Sequence, residues 1–166
     1  INSQERDIGR RRFTVGALDR CMLKSGHPMA HRITIDSRSD HAKAHRILKS
    51  LTERFPDAKL ASVSCIQGYT IDAVLSKKEL EQACAVLTNP VIDTASSFHV
   101  LSPDSFSYAL EIGFHPGVTD NVGSTVRQML EDASQKKFKE SEAVYSSQFV
   151  FLTGRISKDQ AERMSL

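Results

Sequence analysis

Apolar and polar positions change period several times along this chain, and each change predicts an element. Arg32-Ile33-Thr34-Ile35-Asp36 alternates with the two-residue period of a half-buried strand. Ala44, Ile47, Leu48, Leu51 and Phe55 then fall on one stripe of a 3.6-residue helix, with Asp40 placed to cap it and Phe55-Pro56 to end it. Two extended runs follow, about Leu60 to Ile66 and Tyr69 to Val74, and Gln67-Gly68 between them predicts a short antiparallel hairpin. Ser76-Lys77-Lys78-Glu79 has the spacing of a capping box, so a helix starts there and buries Leu80, Ala83, Cys84 and Leu87. Asn89-Pro90 stops it, and Val91-Ile92 opens a short extended segment.

The same order returns about 80 residues later, which marks an internal duplication. Tyr108 and the strand Ala109-Leu110-Glu111-Ile112-Gly113 lead through a turn to Asp120, which can cap a helix with the stripe Val122, Val126, Met129, Leu130 and Ala133. A polar loop from Gln135 to Glu140 precedes a strand pair containing Phe149-Val150-Phe151-Leu152, and Ser157-Lys158-Asp159-Gln160 is a second capping box. The expected domains are a leader, 1–28, a first module, 29–101, and a second module, 102–166. The last helix reaches Leu166 without a counterpart of Asn89-Pro90-Val91-Ile92, so the second module is expected to be incomplete and the chain an amino-terminal piece of a longer protein. The leader, with Arg10-Arg11-Arg12, lies outside the repeat and is expected to be poorly ordered, without chemistry. Its Glu5, Asp7 and Asp19 argue against a basic targeting peptide.

A β-α-β-β-α-β unit folds as a split βαβ, an antiparallel sheet with both helices on one face. One copy of about 65 residues has a marginal core, and a second copy can cover its bare sheet face. The expected class is α+β: two tandem ferredoxin-like modules, the second truncated, with their sheets packed as a pseudo-dimer. Tyr69, Phe149 and Phe151 would fill the interface between the sheets, and the linker Ser96 to Ser107 is long enough to allow it.

Composition narrows the classes further. A net charge of +2, from 22 basic and 20 acidic residues evenly mixed, gives no strong basic face, so nucleic acid is not an expected partner. No run approaches the roughly 18 apolar residues of a membrane span, and a cytoplasmic location without membrane contact is expected. Cys21, Cys65 and Cys84 are odd in number and form no C-x-x-C pair, which argues against a disulfide framework or zinc site; Cys65 and Cys84 read as small buried apolar residues.

Gly113-Phe114-His115-Pro116-Gly117-Val118-Thr119-Asp120-Asn121-Val122-Gly123 resembles the signature of the PurS family. Gly68 to Ser76, Leu80-Glu81 and Asn89-Pro90-Val91-Ile92 resemble that family's strand, second helix and closing strand. The first module departs from the pattern, with Ser37-Arg38-Ser39-Asp40-His41 where the Pro-Gly-Val turn would stand. The resemblance implies a component of phosphoribosylformylglycinamidine synthase, the glutamine-dependent, ATP-consuming ligase of purine and IMP biosynthesis. Two tandem copies look like the amino-terminal region of a fused synthase subunit. Implied partners are the remaining synthetase domain and the glutaminase subunit or domain; implied for the whole enzyme are ATP and Mg²⁺, with no cofactor and no catalytic residue in this chain. The residues agree: the chain has no P-loop and no nucleophilic Cys paired with a His.

The interaction residues that the resemblance points to are His115, Pro116, Gly117, Asp120 and Gly123. Gly117 and Gly123 read equally as points of close approach to a partner or as a turn and a helix–sheet packing site. His41 and His45 stand at i and i+4 on one helix face, which could bind zinc, but no third ligand accompanies them and a solvated face is the reading favoured. Two rival functions share the fold class: a regulatory module that binds a small effector, and an RNA-binding module whose strand aromatics stack bases.

Overall fold

The structure, a computed structural model, describes residues 4–8, 11–16, 30–114 and 117–164, with the backbone alone for the first two segments. In chain order the elements are β1 (Gln4–Ile8), β2 (Arg11–Gly16), β3 (Ala30–Ser37), α1 (His41–Arg54), β4 (Lys59–Asp72), α2 (Lys77–Leu87), β5 (Asp93–Ser96), β6 (Tyr108–Phe114), α3 (Asn121–Ser134), β7 (Ala143–Arg155) and α4 (Lys158–Met164). All seven strands form one antiparallel sheet in the order β1-β2-β6-β7-β4-β3-β5.

That single sheet corrects the expectation of two sheets packed face to face. The hairpin expected at Gln67-Gly68 does not form, because β4 runs straight through both residues. Gly68 is not among the glycines with positive φ; it is buried, and a Cβ there would lie 2.7 Å from Ser147 Oγ and 2.8 Å from the Phe149 ring. It serves close packing rather than a turn. The second expected strand pair is likewise one strand, β7. Opened out in this way, β4 and β7 pair with each other from Lys59↔Arg155 to Asp72↔Ala143, with one bulge between Leu60 and Ser62. Gln67 faces Gln148 near the middle of the ladder.

Alternation along the long strands sends alternate residues to a helix-covered face and an opposite face. Two cores lie under the helices. One joins Ile33, Ile35 and Ile71 to Leu80 and Ala83 of α2 and to Val126 and Leu130 of α3. The other joins Ala44 and Leu51 of α1 to Val63, Cys65, Leu110, Val150, Leu152 and Met164 of α4. The helix stripes of α1 and α2 are borne out, while in α3 the core side is Gly123, Val126 and Leu130, leaving Val122 and Met129 exposed. The loop read as a polar stretch inserts Phe138 into the first core.

Capping follows the sequence at three helices. Ser76 Oγ accepts from Glu79 N while Glu79 Oε2 accepts from Ser76 N at 2.7 Å, and Ser157 with Gln160 repeats the arrangement. Asp40 is the exception: a short 3₁₀ turn, Arg38–Asp40, precedes α1, and Asp40 makes no side-chain cap bond. The Val91-Ile92 extension is also corrected, since both sit in a turn exposed to solvent and the strand begins at Asp93.

The opposite face is covered in part by the segment joining β5 to β6. Its Val100, Leu101 and Phe106 pack on Ile66, Ala109, Phe149 and Phe151. Phe106 meets Phe151 edge-on with centroids 5.0 Å apart. Buried Thr34 anchors this strap by accepting from Leu101 N at 3.0 Å and donating to the His99 carbonyl. Phe149 and Phe151 thus lie beneath a strap, not between two sheets, and Tyr69 faces the helices instead. The leader, expected to be poorly ordered, supplies β1 and β2 where it is described. No helix among the described residues is long and apolar enough to cross a membrane.

Two outcomes follow. Gly68→Ala is expected to cost about 1–3 kcal/mol in urea unfolding by forcing Ser147 and Phe149 apart. Glu131 is held down to about 2 by Lys137, the Phe138 N–H and Arg127, and Glu79 to about 2 by the Ser76 hydroxyl and N–H and by Lys136. Carboxylates lowered in the folded state contribute stability that is full above the ordinary value near 4.3 and lost as pH falls toward 2. Acid titration followed by circular dichroism should therefore show the α2–α3 side loosening within that window, and Glu131→Gln should remove part of the dependence.

Candidate functional site

The site that the sequence points to lies where β7 outruns β6. β4 pairs with β7 from Ala143 onward, but β6 pairs with it only from Ser147, so one edge of Ala143–Ser146 has no strand partner among the described residues. The amino-terminal turn of α3 closes that edge. Asp120 Oδ1 accepts from Gly123 N at 2.7 Å and from Ser146 Oγ at 2.9 Å, and Oδ2 accepts from Ser146 N. One carboxylate thus caps a helix and ends a sheet ladder, satisfying donors of both.

Gly123 belongs to the same device. A Cβ on it would collide with the Val144 carbonyl oxygen and the Asp120 carboxylate, so only glycine lets α3 sit this close to β7. Of its two readings, helix–sheet packing is the one observed. Gly117 has φ +84 with open space around it, as a turn residue does. His115 and Pro116 lie outside the described residues.

Beside this turn runs a groove of about 600 Å³, lined by Phe114, Gly117, Asp120, Arg127, Tyr145 and Ser147 among others. Its three charged side chains are engaged. Asp120 holds three donors. Arg127 bonds Glu131 and the carbonyls of Phe138 and Lys139. Glu111 accepts from Ser147 Oγ at 2.8 Å and pairs with Arg32, which reaches across β4 and β7 with its guanidinium 5.5 Å from the Phe149 ring centre. What the groove offers freely is Phe114, 42% exposed, and Tyr145, 54% exposed.

Sequence reasoning missed Phe114 as an exposed residue and missed Tyr145 and the Arg32–Glu111 pair. The pair joins strands that the sequence places far apart, so no local signal could reveal it. Phe114 did carry one: it continues the strand's alternation beyond the point where β6 has core to meet.

His41 and His45 are exposed and line a separate groove of about 270 Å³ with Asp36 and Cys65. Among the described residues no three metal-ligating side chains converge. Burial raises the Cys65 thiol to about 11 and also raises that of Cys84, so both stay protonated and behave as small apolar groups. Cys21 lies outside the described residues. The Tyr69 phenol is raised by burial and by Asp40, Asp120 and Asp93.

Comparison with protein-family models, with curated proteins and with solved structures finds no match. The fold class rests on the geometry: an α+β protein whose described residues form an antiparallel sheet with four helices on one of its faces.

Asp120→Ala is expected to lower stability by about 2 kcal/mol or more, losing a cap and stranding the Ser146 N–H. Asp40→Ala, which removes no side-chain cap bond, should change urea stability by less than about 0.5 kcal/mol.

Proposed function

We propose that this chain is the amino-terminal assembly region of a phosphoribosylformylglycinamidine synthase, built from two tandem ferredoxin-like, PurS-like modules that bridge the synthetase and glutaminase parts in the cytoplasm. The observation that carries the reading is the register of the long ladder. Gln67 and Gln148, which face each other, are 81 positions apart, and so are the capping serines Ser76 and Ser157. In a pseudo-dimer on one chain, equivalent residues pair with one another across an approximate two-fold axis, and this register supports that relation. The modules meet edge to edge and exchange halves: α2 of the first covers one core with α3 of the second, and α1 shares the other with α4.

In this reading ATP, Mg²⁺ and glutamine are handled by the rest of the synthase, and the α3 turn with its aromatic groove serves contact with it. The groove also supports a second reading, a regulatory module that binds a small effector. An RNA-stacking role loses support because Phe149 and Phe151 are buried under the strap.

Co-expression with the remaining synthase tests the proposal. A stable complex by size exclusion and restored purine-independent growth are expected, and absence of both would count against it. Phe114→Ser with Tyr145→Ser should weaken that complex by roughly tenfold or more without lowering Tm. A Tm rise on adding a nucleotide or amino acid to the isolated chain would favour the effector reading.

A further inference from the structure

β5 pairs with β3 only from Thr34 to Ser37, and beyond Ser96 the chain leaves that ladder and turns onto the sheet face opposite the helices. Beside this turn and the first half of β3 lies a pocket of about 170 Å³. His31, Arg32, Thr70, Phe98 and His99 line it, and among the described residues no carboxylate does. It is distinct from the aromatic groove, although Thr70 borders both.

The nitrogen donors here are held in place. His99 is clamped through its main chain: its N–H donates to Ser96 Oγ at 3.2 Å, and its carbonyl accepts from Thr34 Oγ1 at 3.3 Å. Ser96 Oγ, which is buried, also accepts from Phe98 N. Both of its lone pairs are then taken, so its own proton goes to His99 Nδ1, 3.1 Å away. An imidazole that accepts at Nδ1 carries its proton on Nε2, which makes His99 a donor there even when uncharged. Arg32 is braced by the Phe149 ring, whose centre is 5.5 Å from its guanidinium carbon, and by Glu111, which faces Nη1 and Nη2 at 3.3 Å. That pairing leaves Nε–H and the second N–H of each Nη for another acceptor.

Two imidazoles and a guanidinium lining one pocket select an oxyanion, for which charge-assisted N–H···O bonds are the strong ones. The space holds several water-sized groups, and Phe98, 72% exposed, adds an apolar surface to the lining. We infer that this pocket binds the phosphoryl group of a small phosphomonoester, with His31, Arg32 and His99 as its donors and Phe98 against the organic part. The inference goes beyond the assembly reading and does not rest on it.

The test titrates the unmodified chain with inorganic phosphate at fixed ionic strength and follows imidazole and amide NMR shifts. Saturable shifts of the His31 and His99 rings and of the Phe98 amide are expected. Phenyl phosphate should reach the same midpoint at roughly threefold lower concentration, because it also covers Phe98. His31→Ala combined with His99→Ala should weaken phosphate binding by roughly tenfold. Phe98→Glu, a change at an exposed side chain, should weaken it similarly without lowering Tm, by placing a like charge in the pocket. Shifts that grow without saturating, or a midpoint that both variants leave unchanged, overturn the inference; phenyl phosphate binding no tighter than phosphate overturns the monoester in favour of the free ion. The co-expression test of the synthase reading is untouched by any of these results.

Discussion

The ladder between β4 and β7 is the constraint from which the rest of the structure follows. Each strand is too long to belong to one core: the carboxy-terminal half of β4 and the amino-terminal half of β7 floor the first, and the remaining halves floor the second. Bringing these strands together closes a loop of some eighty residues, an entropic cost that grows only slowly with length. Thirteen residue pairs then repay it along a single seam. Gln67 and Gln148 occupy the midpoint, where apolar side chains give way to amides, and Gln67 Nε2 donates to the Ser147 carbonyl at 2.8 Å. The seam is polar where one core ends and the next begins.

Gly68 leaves room for the Phe149 ring beside β4, and Arg32 crosses the same stretch to reach Glu111 from the far side of two strands. At the amino-terminal end of β7, the Asp120 carboxylate accepts from the Ser146 N–H, so a side chain rather than a described strand satisfies that edge donor. The cost is geometric: it requires glycine at position 123 and fixes how α3 approaches the sheet.

Local signals were legible wherever they decide local structure. The capping boxes at Ser76 and Ser157, the Asp120 cap, and the stripes of α1 and α2 all follow from side-chain spacing, and the structure has them. The failures concern choices made by distant residues. Whether Gln67-Gly68 turns or runs straight depends on a partner strand 81 positions away, and nothing in either residue records it. Phe149 and Phe151 read correctly as buried, but the strap that buries them is a stretch that looks like plain linker, with its anchor at Thr34 in another strand. Of the candidate site, Asp120 and Gly123 were visible as a motif, whereas the Arg32–Glu111 pair exists only in three dimensions.

Both cores draw residues from either side of the strap, Ile33, Ile71 and Leu80 with Val126 and Val144 in one, Ala44 and Val63 with Leu110 and Val150 in the other. In the proposed two-module reading, a single repeat cut free would own two half-cores and no whole one, so it would fold by capturing another copy, and its folded fraction would rise with its concentration. Joining the proposed repeats covalently would replace that second-order encounter with a first-order one, set by the local molarity that a dozen-residue connection imposes. In that reading the strap is a thermodynamic tether: it frees the fold from dilution.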